Sequence, residues 1–441
     1  MKSVPLGLYI SVPFCRTKCS YCNFASDVFS KAAYENYVGR LLEDIGNARQ
    51  LAAELGCDVG SADRGSLDAP ADSIYLGGGT PSILDAAQLL RIFAAVRDEF
   101  AVTRDAEITV ECAPGTLTPA LIETLLQCGV NRVSLGVQSF VDREAQSVGR
   151  LHKRSTVLEE IARLHEGGLG NISIDLIAGL PHQTAESWAF SLSETIAAGV
   201  PHVSVYMLEV DEDSRLGREL IAGGARYHAH FVPDDDATAD FYQQAREMLG
   251  AAGIAQYEIS NFARTALLSR NGESHSGELH SYESRHNLKY WMRQPYLGFG
   301  VDAHSMLERI VAGRASPPVQ MDCRQALRFA SPDSLDAYMN RADRTVTPVS
   351  VQAAIEETFF LGLRLNRGVD LARLRTEFSA DAIADRKSAI QQCVQDGLLE
   401  QQGTILRLTS RGRLLSNEVF ARFLAEEIED TRVRTGHVNP R

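Results

Sequence analysis

Six short β-branched runs recur along the first half of the chain: Gly7–Val12, Ser73–Leu76, Glu107–Glu111, Arg132–Val137, Asn171–Ile177 and Val203–Leu208. Between them lie segments such as Tyr34–Leu55, Asp85–Phe100 and Thr118–Cys128, whose apolar residues fall at helical spacing. Strands that alternate with helices in this way imply a parallel sheet in an α/β fold. Six such units predict a partial, three-quarter TIM-like barrel. In folds of that kind the loops leaving the C-terminal strand ends build the site, so polar or glycine residues just after a strand draw functional attention.

A chain of 441 residues that is 44% hydrophobic supplies a sizeable core and a satellite domain. The expected division is a barrel core over 1–230, an extension over 231–348, a mainly helical C-terminal domain over 349–426, and a polar, disordered tail over 427–441. In the C-terminal part, helical periodicity runs into GLLEQQGTILRLTSRG, the pattern of a helix, a tight turn and the short hairpin of a winged-helix-like unit. Residues 58–72 and 268–285 are rich in small and polar types and read as surface loops, which leaves His275 and His280 as solvated loop residues. A net charge of −13 gives no global attraction to nucleic acid or anionic lipid. No run approaches a membrane span and no secretory pattern opens the chain, so the expected location is the cytoplasm.

Eight cysteines in a chain of this length do not make a disulfide framework. Cys57, Cys112, Cys128, Cys323 and Cys393 are scattered and read as ordinary thiols. The other three are not scattered: LYISVPFCRTKCSYCNF places Cys15, Cys19 and Cys22 in a C-x3-C-x2-C loop directly after the first strand. Thiolates suit iron–sulfur clusters, and three ligands on a four-iron cube leave one iron open to an external chelating group. The amino and carboxylate groups of S-adenosylmethionine fill such a position. A structural zinc site closes with four protein ligands, and no fourth Cys or His lies nearby in sequence.

On these residues, with Tyr21 just before the third cysteine, the chain resembles the radical S-adenosylmethionine superfamily. The resemblance continues through LGGGTPS (Gly77 to Ser82), VECAPG with Glu111, GVQSF with Gln138, GRLH with Arg150 and SIDLIAGLP with Asp175, in the family's order and strand-end context. It implies a [4Fe–4S] cluster on Cys15, Cys19 and Cys22, and S-adenosylmethionine contacts from Tyr9, Tyr21, Gly78, Gly79, Thr80, Glu111, Gln138, Arg150 and Asp175. The chemistry fits: glycines let backbone amides approach a ligand, carboxylates take ribose hydroxyls or an amino group, and an arginine pairs with a carboxylate. Taken singly, Glu111 is a strand-end charge, Gln138 a turn amide, Arg150 a surface residue and Asp175 the partner of a buried polar group.

Further matches in YEISNFA (257–263), RHNLKYW (285–291), YLGFGVDAHS (296–305) and LTSRGRLLSN (408–417) resemble the coproporphyrinogen III oxidase-like group. Two of its branches compete, an oxidase that decarboxylates porphyrinogen propionates and a haem chaperone. The oxidase pattern has a further cysteine where this chain has Phe24, and a longer segment before the first strand. Both departures favour the chaperone branch, with haem as cargo and haem-accepting proteins as partners, membrane-associated ones among them. A homodimer is left open, oxidase activity is not expected, and an enzyme acting on a tetrapyrrole is the alternative. HNLKYW resembles the HNxxYW signature of that branch, which implies haem contact by His286, Tyr290 and Trp291, since an imidazole ligates iron and aromatic rings cover a macrocycle. The same residues serve equally as a buried hydrogen bond and core anchors, and His304 is a rival ligand.

Overall fold

The computed structural model describes residues 4–57, 70–212, 214–224, 226–267, 279–310, 324–378 and 383–424. Most of both expected loops, with His275, Cys323 and the tail over 427–441, lies outside the described residues. The first half runs β1 (Leu6–Val12), α1 (Lys31–Gly46), α2 (Ala48–Glu54), β2 (Ala71–Gly78), α3 (Ala86–Glu99), β3 (Val102–Cys112), α4 (Pro119–Gln127), β4 (Arg132–Gln138), α5 (Asp142–Ser147), α6 (Arg154–Glu166), β5 (Ile172–Ala178), α7 (Ala185–Ala197), β6 (His202–Met207), α8 (Arg215–Ala222) and α9 (Asp235–Ala251). Strands β1 to β6 pair parallel in sequence order, with Leu8 beside Ile74, Ile74 beside Ile108, Val110 beside Val133, Leu135 beside Ile174 and Ile174 beside Val203. The expected partial barrel is formed.

Alternation along each strand sorts the residues into two phases. Leu6, Leu8, Ile10 and Val12 of β1 are fully buried, in one core with Val38, Leu41 and Ile45 of α1 and Leu89, Ile92 and Val96 of α3. Each such side chain contributes roughly 1.5–3 kcal/mol. The opposite phase faces the lumen and is partly open: Tyr9, Tyr75, Glu111, Gly136 and Asp175 keep intermediate exposure inside strands that are otherwise mostly buried, and Tyr206 is exposed. The helices start on their own sequence signals. Asp85 and Gln88 form a reciprocal capping box on α3, and Thr118 caps α4 ahead of Pro119. The helix expected over Tyr34–Leu55 is instead two, because it breaks at Gly46–Asn47, two poor helix formers in succession.

The second half adds β7 (Ala255–Gln256), β8 (Asn261–Ala263), the antiparallel pair β9 (Thr265–Leu267) and β10 (Leu279–Ser281), α10 (Arg285–Trp291), β11 (Tyr296–Phe299), β12 (His304–Ile310), β13 (Arg324–Ala330), α11 (Leu335–Met339) and β14 (Thr345–Pro348). Among the described residues the sheet has twelve strands, in the order β14-β13-β12-β11-β1-β2-β3-β4-β5-β6-β8-β7. Strand β11 is a parallel neighbour of β1 on its open side, with Tyr9 beside Gly298. Beyond it, α12 (Val351–Gly362), β15 (Val369–Asp370), α13 (Leu371–Phe378), α14 (Lys387–Gln395), β16 (Leu399–Gln402) and β17 (Ile405–Leu408) close on a second core that includes Ile355, Phe359, Leu374, Leu406 and Phe423. The expected hairpin is β16–β17, turning at Gly403, whose φ of +61° suits glycine.

Candidate functional site

The cysteine loop leaves β1 at the C-terminal end of the barrel and is held by main-chain bonds on several sides. Cys15 N donates to Asp27 O at 3.0 Å, Ser20 N to Val148 O at 3.1 Å, and Leu216 N to Ser20 O at 2.8 Å. Lys18 Nζ spans the loop, donating to the carbonyls of Phe24 and Ser26 at 2.9 and 2.6 Å. All three cysteines are free thiols; Cys15 and Cys22 are partly exposed and Cys19 is buried. No three His, Cys, Asp or Glu side chains among the described residues converge on a single-ion site. A cube instead takes each thiolate on a separate iron.

The glycine run after β2 packs onto that loop. Gly79 N donates to Val12 O and Thr80 N to Phe14 O, and a Cβ on Gly79 would lie 2.6 Å from Val12 O, so only glycine fits. Thr80 Oγ1 faces Cys15 Sγ at 3.7 Å. Gly78 turns at φ +98° and donates its N–H to Glu111 Oε2 at 3.2 Å, while Tyr75 OH donates to Glu111 Oε1 at 2.8 Å. Burial pushes the Glu111 carboxyl up to about 7, against the pull of those two donors.

Across the lumen, Arg150 Nη2 donates to Tyr21 OH at 3.0 Å, which joins the motif tyrosine of the cysteine loop to the loop between α5 and α6. Arg150 Nε is buried and finds no partner in the protein. Gln138 sits at φ +68°, an uncommon backbone for a residue with a side chain. A Cβ on Gly136 would come within 3.1 Å of Gln138 Nε2 and 3.3 Å of Arg150 Nη2, so that glycine keeps room for both groups. Asp175 accepts from Ser134 Oγ at 3.1 Å, and burial raises its carboxyl. Tyr9 lies lower in the lumen, stacked against Tyr75 at 6.3 Å. The fold thus brings Tyr9, Tyr21, Gly78, Gly79, Thr80, Glu111, Gln138, Arg150 and Asp175 to one lumen under the cysteine loop. Tyr75, Ser134 and Tyr206 share it and were not foreseen, although continuing the two-residue alternation from the inward residues of each strand reaches them.

The RHNLKYW segment lies at the other end of the same lumen, where the His286 ring stacks on Tyr75 at 5.3 Å and on Tyr9 at 6.3 Å. It forms α10, which plugs the opposite end of the barrel. Glu107 on β3 accepts from Arg285 N and His286 N at 3.1 and 3.0 Å and so caps the helix, and the buried Lys289 pairs with Asp72 at 2.7 Å. His286 is 1% exposed, with Nδ1 bonded to Ser73 Oγ at 3.0 Å and Nε2 to Tyr290 OH at 2.8 Å. Burial holds this imidazole down to about 3, neutral with both ring nitrogens engaged. Iron ligation by His286 therefore requires breaking one of these bonds. Trp291 is half-buried beneath the Arg364 guanidinium, and Tyr290 packs edge-on to Tyr296. His304 is on the surface, its side chain 67% exposed and its Nε2 3.6 Å from Asp302 Oδ1.

The Radical SAM superfamily matches residues 9–193, which hold the cysteine loop and most of the lumen, and the HemN C-terminal domain matches residues 349–415. A partial barrel with three thiols at its mouth and this match define a radical SAM protein, a class that implies a [4Fe–4S] cluster and S-adenosylmethionine. The heme chaperone HemW of Bacillus subtilis (strain 168) is 30% identical over 422 residues, covering 95% of this chain and 99% of that one. The HemW of Mycobacterium tuberculosis (strain CDC 1551 / Oshkosh) is 31% identical over 426 residues, 95% of each chain. Within the radical SAM class, the chain belongs to the HemW family. Its fold is shared with the solved coproporphyrinogen III oxidase (HemN) from Escherichia coli, at a TM-score of 0.74 and 21% identity over 96% of this chain and 91% of that one. Among the described residues no helix is long and apolar enough to cross a membrane.

Proposed function

We propose that this protein is a haem chaperone of the HemW type, which binds haem and passes it to acceptor proteins in the cytoplasm or at a membrane, while carrying a [4Fe–4S] cluster and S-adenosylmethionine at the barrel mouth. The observation that carries the cofactor reading is the set of three free thiols held over a lumen whose inward residues stay reachable. The donor set fits. Cys15, Cys19 and Cys22 would hold three irons, and the buried, unpartnered Arg150 Nε together with the Glu111 carboxyl suits a zwitterionic ligand. When bound, the cluster supplies single electrons and an iron open to a chelating group. The chain's own residues position and exclude: Gly79 lets the β2 loop close on the cysteine loop, Gly78 and Thr80 border the space, and Tyr21 fixes Arg150. Haem is cargo, held apart from the cluster by residues 231–348, where the family segment lies.

Anaerobic reconstitution tests this reading. Wild type should take up about four irons per chain with one lacking a protein thiolate, and replacement of Cys15, Cys19 or Cys22 by Ala should abolish the cluster while sparing saturable haem binding. A full cluster in all three variants, or stoichiometric zinc in wild type, would overturn the cofactor reading. Absence of saturable haem binding would overturn the carrier reading, and robust decarboxylation of coproporphyrinogen would favour the oxidase alternative.

A further inference from the structure

Cys15, Cys19 and Cys22 do not stand in equal surroundings, and the difference lies in the hydroxyl groups beside them. Ser26 Oγ and Thr80 Oγ1 each lie 3.7 Å from Cys15 Sγ. Both residues are buried, at 5% and 9% exposure. Cys22 instead accepts from the main-chain N–H of Phe24. Ser20, which directly follows Cys19, is 3% exposed, and its Oγ is buried without a hydrogen-bond partner in the protein. A buried hydroxyl left unpaired is costly and calls for a reason, and here it sits inside the three-thiol loop.

Main-chain bonds hold each of the three in place. After the third cysteine the chain folds back on β1: Asp27 N donates to Pro13 O and Cys15 N to Asp27 O, both at 3.0 Å, in a parallel bridge between Phe14 and Asp27 that sets Ser26 against Cys15. Lys18 Nζ fixes the Ser26 carbonyl at 2.6 Å. Thr80 arrives from the β2 loop, its N–H bonded to Phe14 O at 2.8 Å. Ser20 is held by its N–H on Val148 O and by Leu216 N on its own carbonyl. None of these bonds uses the hydroxyls, so a side chain can lose its oxygen while the loop keeps its path.

We infer that Ser26 and Thr80, together with Ser20, donate hydrogen bonds to sulfur atoms of the cluster site and thereby raise its reduction potential. The inference rests on the cofactor reading. As a thiolate, Cys15 has no proton to give, so the hydroxyls of Ser26 and Thr80 both become donors to it, and the Ser20 hydroxyl is left for a further sulfur atom. One-electron reduction adds negative charge that the sulfur atoms share. Donors aimed at sulfur therefore favour the reduced state, and hydrogen bonds of this kind are among the terms that set a cluster's potential. Two of the three act at Cys15, which makes that corner the more strongly stabilised one.

The test is a potentiometric titration of the anaerobically reconstituted full chain without S-adenosylmethionine, in which electron paramagnetic resonance follows the reduced cluster and iron per chain is measured alongside. Ser26→Ala and Thr80→Val should each keep wild-type iron and lower the potential, so that about threefold less cluster is reduced at a fixed potential. The double variant should reach about tenfold, which for one electron is about 59 mV. Ser20→Ala should shift in the same direction, and Thr80→Ser, which keeps the hydroxyl, should stay at the wild-type value. Unchanged potentials in variants that hold their iron would overturn the inference while leaving the cofactor reading intact. Loss of the cluster in Ser20→Ala, Ser26→Ala and Thr80→Val alike would show the hydroxyls to be structural and overturn it too. A wild type that takes up no four-iron cluster would remove both.

Discussion

The two ends of the barrel are built from the same strands and contain the same kinds of residue, yet they are finished differently. At the mouth, Glu111 and Asp175 keep intermediate exposure with raised carboxyls, and Arg150 retains an unpartnered Nε. At the floor, Glu107 caps a helix, His286 has both ring nitrogens engaged, and Lys289 is tied to Asp72 and to the Pro5 carbonyl. A polar side chain inside a barrel is therefore not a sign of a site. What separates a site from a structural plug is whether the hydrogen-bonding capacity is already spent within the protein.

The largest expected effect comes from breaking the floor. Lys289→Met removes a buried cation and leaves Asp72 unpaired, which should cost about 3 kcal/mol in urea denaturation while reconstituted iron content stays at the wild-type level. If iron is lost and stability is not, the two ends are coupled and the contrast between them fails. A smaller effect belongs to the mouth. With its carboxyl raised to about 7, Glu111 is half ionised at that pH and increasingly so above it; on the proposal that it receives the amino group of S-adenosylmethionine, binding draws on the ionised form. Affinity measured by calorimetry should therefore rise as pH passes from 6 to 8, by up to about tenfold, and Glu111→Gln should give a weaker, flat profile. The apo protein should show the opposite trend. A raised carboxyl contributes stability that is complete below about 4.5 and lost as pH climbs through about 7, so the variant should gain on wild type over that range. The smallest effect is that of His304→Ala, a surface change worth less than about 0.5 kcal/mol. It should also leave the haem spectrum unchanged, and a shifted spectrum would place the haem ligand beside Asp302 at the barrel edge.

The parts of this protein legible in the chain are those whose physics is local. Strand and helix periods, the Asp85 and Thr118 caps and the Gly403 turn each depend on residues a few positions apart. The cysteine loop is legible for the same reason, since its three thiols are held within eight residues and directly follow a strand. The lumen was half legible. Its motif residues stand at strand ends, but Tyr75, Ser134 and Tyr206 carry no motif and declare themselves only through strand phase.

RHNLKYW was legible as a motif and opaque as a place. Its imidazole is sealed by Ser73, 213 positions away, its helix is capped by Glu107 from a strand 179 positions away from His286, and its indole is covered by Arg364 from a separate core. Likewise, nothing in YLGF announced a parallel neighbour for β1. Residue type and spacing say which chemistry a side chain can perform, and they settle it here for the three cysteines. Whether that capacity remains free depends on partners that long-range packing brings up, and hydrogen bonds across hundreds of residues leave no period in the chain to read.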